Sequence, residues 1–74
     1  NLDLLVRAAE LYIKLGNYTA ALDQFALILK EHPDSLYALR EARRCAVTLG
    51  KFDRALEYQE QLARVHPNDP EVQE

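Results

Sequence analysis

Leu15-Gly16-Asn17-Tyr18-Thr19-Ala20-Ala21-Leu22 returns as Leu49-Gly50-Lys51-Phe52-Asp53-Arg54-Ala55-Leu56, and His32-Pro33 returns as His66-Pro67, each after 34 residues. A fixed period of that length constrains the fold more than any other feature of the chain. Each period holds one supersecondary unit, which cannot bury its apolar face until a neighbour stacks against it.

Inside each period the spacing is helical. Leu5, Ala8, Leu11, Tyr12 and Leu15 place a first helix over residues 1–15, with Asn1 as its N-cap. Gly16 ends it, since glycine takes the left-handed conformation that a helix terminus often needs. Thr19 is the expected cap of a second helix carrying Ala21, Leu22, Phe25, Ile28 and Leu29 and ending near Glu31. His32-Pro33-Asp34-Ser35 is a connection, with Ser35 as the next cap. The third helix carries Leu39, Ala42, Ala46 and Leu49 and stops at Gly50. Asp53 then caps a fourth, with Ala55, Leu56 and Leu62, that ends at His66-Pro67. Asp69-Pro70-Glu71 starts a fifth helix as a short C-terminal stub, which suggests a piece of a longer array. Alanines 8, 21, 42 and 55 let the helices of each hairpin approach closely.

Composition narrows the function classes. A chain of 74 residues buries only roughly 60% of its unfolded surface. Apolar residues make up 49%, with two glycines, which fits a helical domain and not a disordered one. The single cysteine, Cys45, cannot form an intramolecular disulfide, and it occupies the place of Leu11, so it reads as a small buried hydrophobe. A net charge of −3 and a pI near 5.3 argue against nucleic-acid binding. No apolar run is long enough to span a bilayer, and compartment is left open.

The pattern Leu-Gly-x-Tyr/Phe, then Ala-Leu, then Pro, at a period of 34, resembles the tetratricopeptide repeat family. Ala9, Tyr12, Gly16, Tyr18, Ala21, Phe25 and Pro33 carry the likeness in the first unit. The second unit is looser, with Arg43 at a small-residue position, Ala46 where an aromatic is common and Gln59 in place of Phe25. A guanidinium at Arg43 must reach out to solvent or spread the helices. The resemblance implies an all-α fold: a right-handed α-solenoid of two helix-turn-helix hairpins, residues 2–35 and 36–69, with 70–74 opening the next helix.

It also implies a function class. In the family the first helix of each hairpin lines a concave groove that receives a partner peptide or helix. By position the groove comprises Asp3, Val6, Glu10 and Ile13 with Tyr37, Arg40, Arg44 and Val47. Arginine offers forked donors to carboxylates, so an acidic peptide is the expected ligand. The plainer alternative makes Arg40, Arg43 and Arg44 a solvated face paired with Glu41 and Glu10. Val6 and Glu10 stand where some relatives carry Lys and Asn to clamp a C-terminal carboxylate, so that clamp is not expected.

A second expectation is structural: a unit that stacks on neighbouring repeats or copies of itself through the end faces carrying Leu56, Leu62, Val65 and Val72. Catalysis finds no support. His32, Asp34 and Ser35 crowd into one turn that cannot form a relay, and there is no glycine-rich phosphate loop. His32 and His66 recur as parts of a turn, with no further ligands for a metal. No cofactor is expected.

Overall fold

The computed structural model describes residues 2–68, and these form four helices with no strand among them: α1 (Leu2–Lys14), α2 (Tyr18–Glu31), α3 (Leu36–Thr48) and α4 (Phe52–Val65). Every helix boundary in the second hairpin lies 34 residues after its counterpart in the first. The expected cap Asn1, the stub at 70–74 and Val72 lie outside the described residues.

The turn chemistry explains this regularity. Gly16 and Gly50 both adopt φ 76°, the left-handed region that penalises any side chain. Around Gly16 the amide of Asn17 donates to the Tyr12 carbonyl at 2.8 Å and that of Gly16 to Ile13 at 2.9 Å. Around Gly50, Lys51 donates to Ala46 at 2.8 Å and Gly50 to Val47 at 3.0 Å. This paired arrangement is the Schellman motif, and it satisfies carbonyls that a helix end otherwise leaves unpaired.

Because that turn is complete at Asn17, the second helix begins one residue later. Asn17 is therefore its N-cap, with Oδ1 accepting from the Ala20 amide at 3.2 Å. Thr19, the expected cap, lies inside the helix. Lys51 takes the corresponding place before α4 and makes no side-chain cap bond, so Asp53, also expected as a cap, sits in the first turn instead. There its carboxylate favours the positive end of the helix dipole. Ser35 does cap α3, its Oγ accepting from the Ala38 amide at 3.2 Å.

Packing follows chain order, α1 on α2, α2 on α3 and α3 on α4. The core gathers Ala9, Ala21, Leu22, Phe25 and Ile28 from the first hairpin with Ala38, Ala42, Cys45, Ala46 and Ala55 from the second. Burying Phe25, which is wholly excluded from solvent, is worth roughly 1.5–3 kcal/mol. Leu11 and Leu15, expected to face the core, are exposed, and Ala8 is only half-buried. Ala9, Tyr12 and Leu5 fill the hairpin instead. The apolar set of α1 thus spans two faces, one inside the hairpin and one outside it.

Arg43 neither spreads the hairpin nor escapes to solvent. It is half-buried on α3, and its Nη1 donates to Gln59 Oε1 on α4. The first hairpin has Ala9 and Phe25 at these two positions, so an apolar pair is exchanged for a hydrogen-bonded polar pair. Two more side chains tie α4 to the turn between the hairpins: Gln61 Nε2 donates to the Pro33 carbonyl at 3.2 Å, and His66 Nε2 lies 2.7 Å from that of Asp34. A carbonyl only accepts, so the His66 proton sits on Nε2.

Candidate functional site

The groove expected from the sequence lies along the first helix of each hairpin, α1 and α3. α1 and α3 are not backbone neighbours among the described elements; α2 separates them, and side chains close the gap. Tyr37 near the start of α3 donates its hydroxyl to Glu10 Oε2 on α1 at 3.2 Å. Its ring is held from below by Phe25 in an edge-to-face arrangement, with centroids 5.9 Å apart and planes at 69°. Such aromatic pairs add roughly 0.5–1.5 kcal/mol beyond their buried area. Tyr37 is therefore anchored at one end to the core and at the other to the groove wall, while part of its ring stays open to solvent.

This anchoring changes the phenol's chemistry. Desolvation, and then the neighbouring Glu10 carboxylate, push the Tyr37 pKa up to about 12. The hydroxyl thus remains a donor across the physiological range.

Glu10, Ile13 and Lys14 from α1 and Tyr37, Glu41 and Arg44 from α3 surround a shallow recess of about 540 Å³. A smaller one, of about 280 Å³, lies along Leu36, Tyr37, Arg40 and Glu41. Arg44 Nη1 pairs with Glu41 Oε2 at 3.3 Å, and the Arg44 side chain is largely in solvent. The main recess carries two carboxylates and two cations, so it is charge-balanced rather than basic.

Of the residues read from the sequence as groove-lining, Glu10, Ile13, Tyr37 and Arg44 share one recess and Arg40 joins Tyr37 in the next. Val47 is exposed farther along α3, Asp3 is exposed near the start of α1, and Val6 is half-buried against the core cluster. Glu10 binds Tyr37 rather than an arginine, and Arg43 belongs to the α3–α4 packing. Lys14 was not foreseen; its position one turn after Glu10 was the available signal. Of the residues expected at the end faces, Leu56 and Val65 are exposed, whereas Leu62 is fully buried and so belongs to the interior.

Cys45 is buried, and desolvation followed by the Glu41 carboxylate raises its pKa, which favours an inert thiol. Among the described residues no helix is long and apolar enough to cross a membrane.

A family model described as tetratricopeptide repeat matches residues 3–35, which span the first hairpin and the connection after it. No curated protein matches the chain.

Proposed function

Because this chain carries a tetratricopeptide repeat, whose family generally mediates protein–protein interaction, we propose that it is a non-catalytic module that binds a partner peptide or helix in the groove between α1 and α3. The observation that carries this reading is Tyr37. A half-open aromatic, fixed by Phe25 beneath and Glu10 beside it, offers rigid contact area without the entropy cost of ordering a loose side chain.

The surroundings suggest the ligand's chemistry. Ile13 and Tyr37 supply apolar contact area, with Val47 exposed farther along α3, and Arg40 and Arg44 form a cationic margin on the same helix. An exposed ion pair such as Arg44–Glu41 contributes at most about 1 kcal/mol, so an incoming carboxylate can take over the guanidinium at small cost. The ligand is then a segment with one apolar anchor and an acidic residue roughly one helical turn away.

Isothermal titration against such peptides, selected from a display library, tests the reading. Charge reversal at both Arg40→Glu and Arg44→Glu weakens binding about tenfold or more with helicity unchanged. Affinity within twofold of the unaltered chain would remove the arginine margin from the site.

A further inference from the structure

We infer that the segment received in the groove carries a basic residue close to its acidic one, and that Glu41 together with Glu10 selects it. The inference rests on the groove reading above and names the ligand's second charge.

The two walls of the main recess have the same charge order. On α1, Glu10 is followed four residues later by Lys14, and on α3, Glu41 is followed three residues later by Arg44. Three or four helical residues set such charges about 4.5–6 Å apart along the axis. No ion pair among these four crosses the recess. Arg44 turns to Glu41 on its own helix, Glu10 takes the neutral Tyr37 hydroxyl, and Lys14 has no ion-pair partner among the described residues. A ligand with one charge of each sign therefore meets an opposite charge at both ends of the recess.

The one ion pair in the recess is unequally exposed. The Arg44 side chain is 71% exposed and that of Glu41 only 21%. A ligand carboxylate draws the solvated guanidinium away easily, but it leaves behind a carboxylate that has already lost most of its water. A shielded charge deprived of its partner is unfavourable, so what a purely acidic ligand gains at Arg44 is offset at Glu41. A basic residue on the same ligand takes the place of the guanidinium, and the ion pair is exchanged instead of broken.

Tyr37 marks where that cation sits. Its hydroxyl donates to Glu10 Oε2 at 3.2 Å, and the residue is 41% exposed. Burial first, and then the Glu10 and Glu41 carboxylates, hold the phenol neutral, so both acids stand near its ring. An open aromatic ring flanked by two carboxylates suits lysine or arginine, whose stem covers the ring while the charged tip is drawn to ring and carboxylates alike. The same carboxylates repel a second acid placed there, a discrimination that a purely cationic groove would lack.

The probe is a phage-displayed library of random peptides panned on the unaltered chain, keeping binders that lose affinity on the double variant Arg40→Glu, Arg44→Glu. Among them Lys or Arg stands within about four residues of an Asp or Glu about threefold or more above its frequency in the library. Isothermal titration then compares the strongest binder with its form carrying Gln at the basic position. That exchange weakens binding about tenfold on the unaltered chain and about twofold or less on the double variant Glu10→Gln, Glu41→Gln, whose helicity is checked by circular dichroism. On Glu41→Gln alone the form without the basic residue binds more tightly than on the unaltered chain, a gain that loss of structure would not produce. Groove-dependent binders with no basic preference, or a basic residue whose removal has the same effect on both chains, overturn the inference and leave the groove reading in place. Binders indifferent to the arginine double variant, or no binder at all, overturn the groove reading itself, and the inference falls with it.

Discussion

Replacing Gly16 by alanine isolates the backbone term that ends α1. The residue sits at φ 76°, and a Cβ built there meets nothing within 4 Å, so steric crowding contributes no cost. What is left is the penalty for holding an L-residue in the left-handed region, about 1–2 kcal/mol. Gly50 has the same φ and the same open surroundings, so Gly50→Ala costs the same within error. For a chain of this size, with a urea m-value near 1 kcal/mol/M, each substitution lowers the unfolding midpoint by about 1 M or slightly more. The assay is urea unfolding followed by circular dichroism at 222 nm. D-alanine at either site, introduced by chemical synthesis, is the control: its preferred φ is positive, so it keeps the turn, restricts the unfolded chain and stabilises by about 0.4–1 kcal/mol. A cost below about 0.3 kcal/mol for L-alanine, or D-alanine no better than L-alanine, would refute the claim that these turns are held by left-handed backbone.

Asn17→Ala removes a cap bond and lowers stability by about 1 kcal/mol, whereas Lys51→Asn adds one, since Lys51 has nearly the backbone angles of Asn17; thermal melts read both. The Tyr37 phenol is harder to ionise in the folded chain than its ordinary value of 10, so the neutral form is the one that folding favours. Its contribution is fully present below pH 10 and is lost as pH rises toward about 12; phenolate absorbance at 295 nm should show one tyrosine lagging the others, and Tyr37→Phe should abolish the lag. Cys45 reacts with a disulfide reagent only through opening of the α2–α3 seam, so Phe25→Ala, which costs about 3–5 kcal/mol, speeds labelling strongly, while matched modification rates would place the thiol at the surface. His66→Ala loosens α4 from the turn at Asp34, with faster amide exchange in the last turn of α4 as the readout.

The period of 34 made the four helices and their turns legible, because Leu-Gly and His-Pro punctuate both units at the same places. The caps were not. Thr19 and Asp53 are sound capping residues, but which residue caps the next helix depends on where the preceding Schellman turn finishes, and it finishes at Asn17 and Lys51, which therefore hold the N-cap positions. Nor can helical periodicity alone tell the inside of a hairpin from a stacking stripe, because both are apolar and one turn apart; Leu11 and Ala9 look alike in that respect and lie on different faces. The Arg43–Gln59 exchange was hidden for another reason. Each residue alone looks like a departure from the family pattern, and only their contact across the hairpin shows that they compensate. At the groove, the sequence placed the right stripes but not their pairings, since Glu10 and Tyr37 meet across 27 residues of chain.

The most direct test of the central claim is chemical-shift mapping. A library-selected peptide is titrated into the isotopically labelled chain, and backbone amide and tyrosine ring signals are followed. Shifts concentrated at Glu10, Ile13, Tyr37, Arg44 and Val47, with α2 and α4 unmoved on their outer faces, are the predicted result. Shifts centred instead on Leu27, Phe52 and Leu56, with Tyr37 unperturbed, would contradict it and place the partner surface on the convex side.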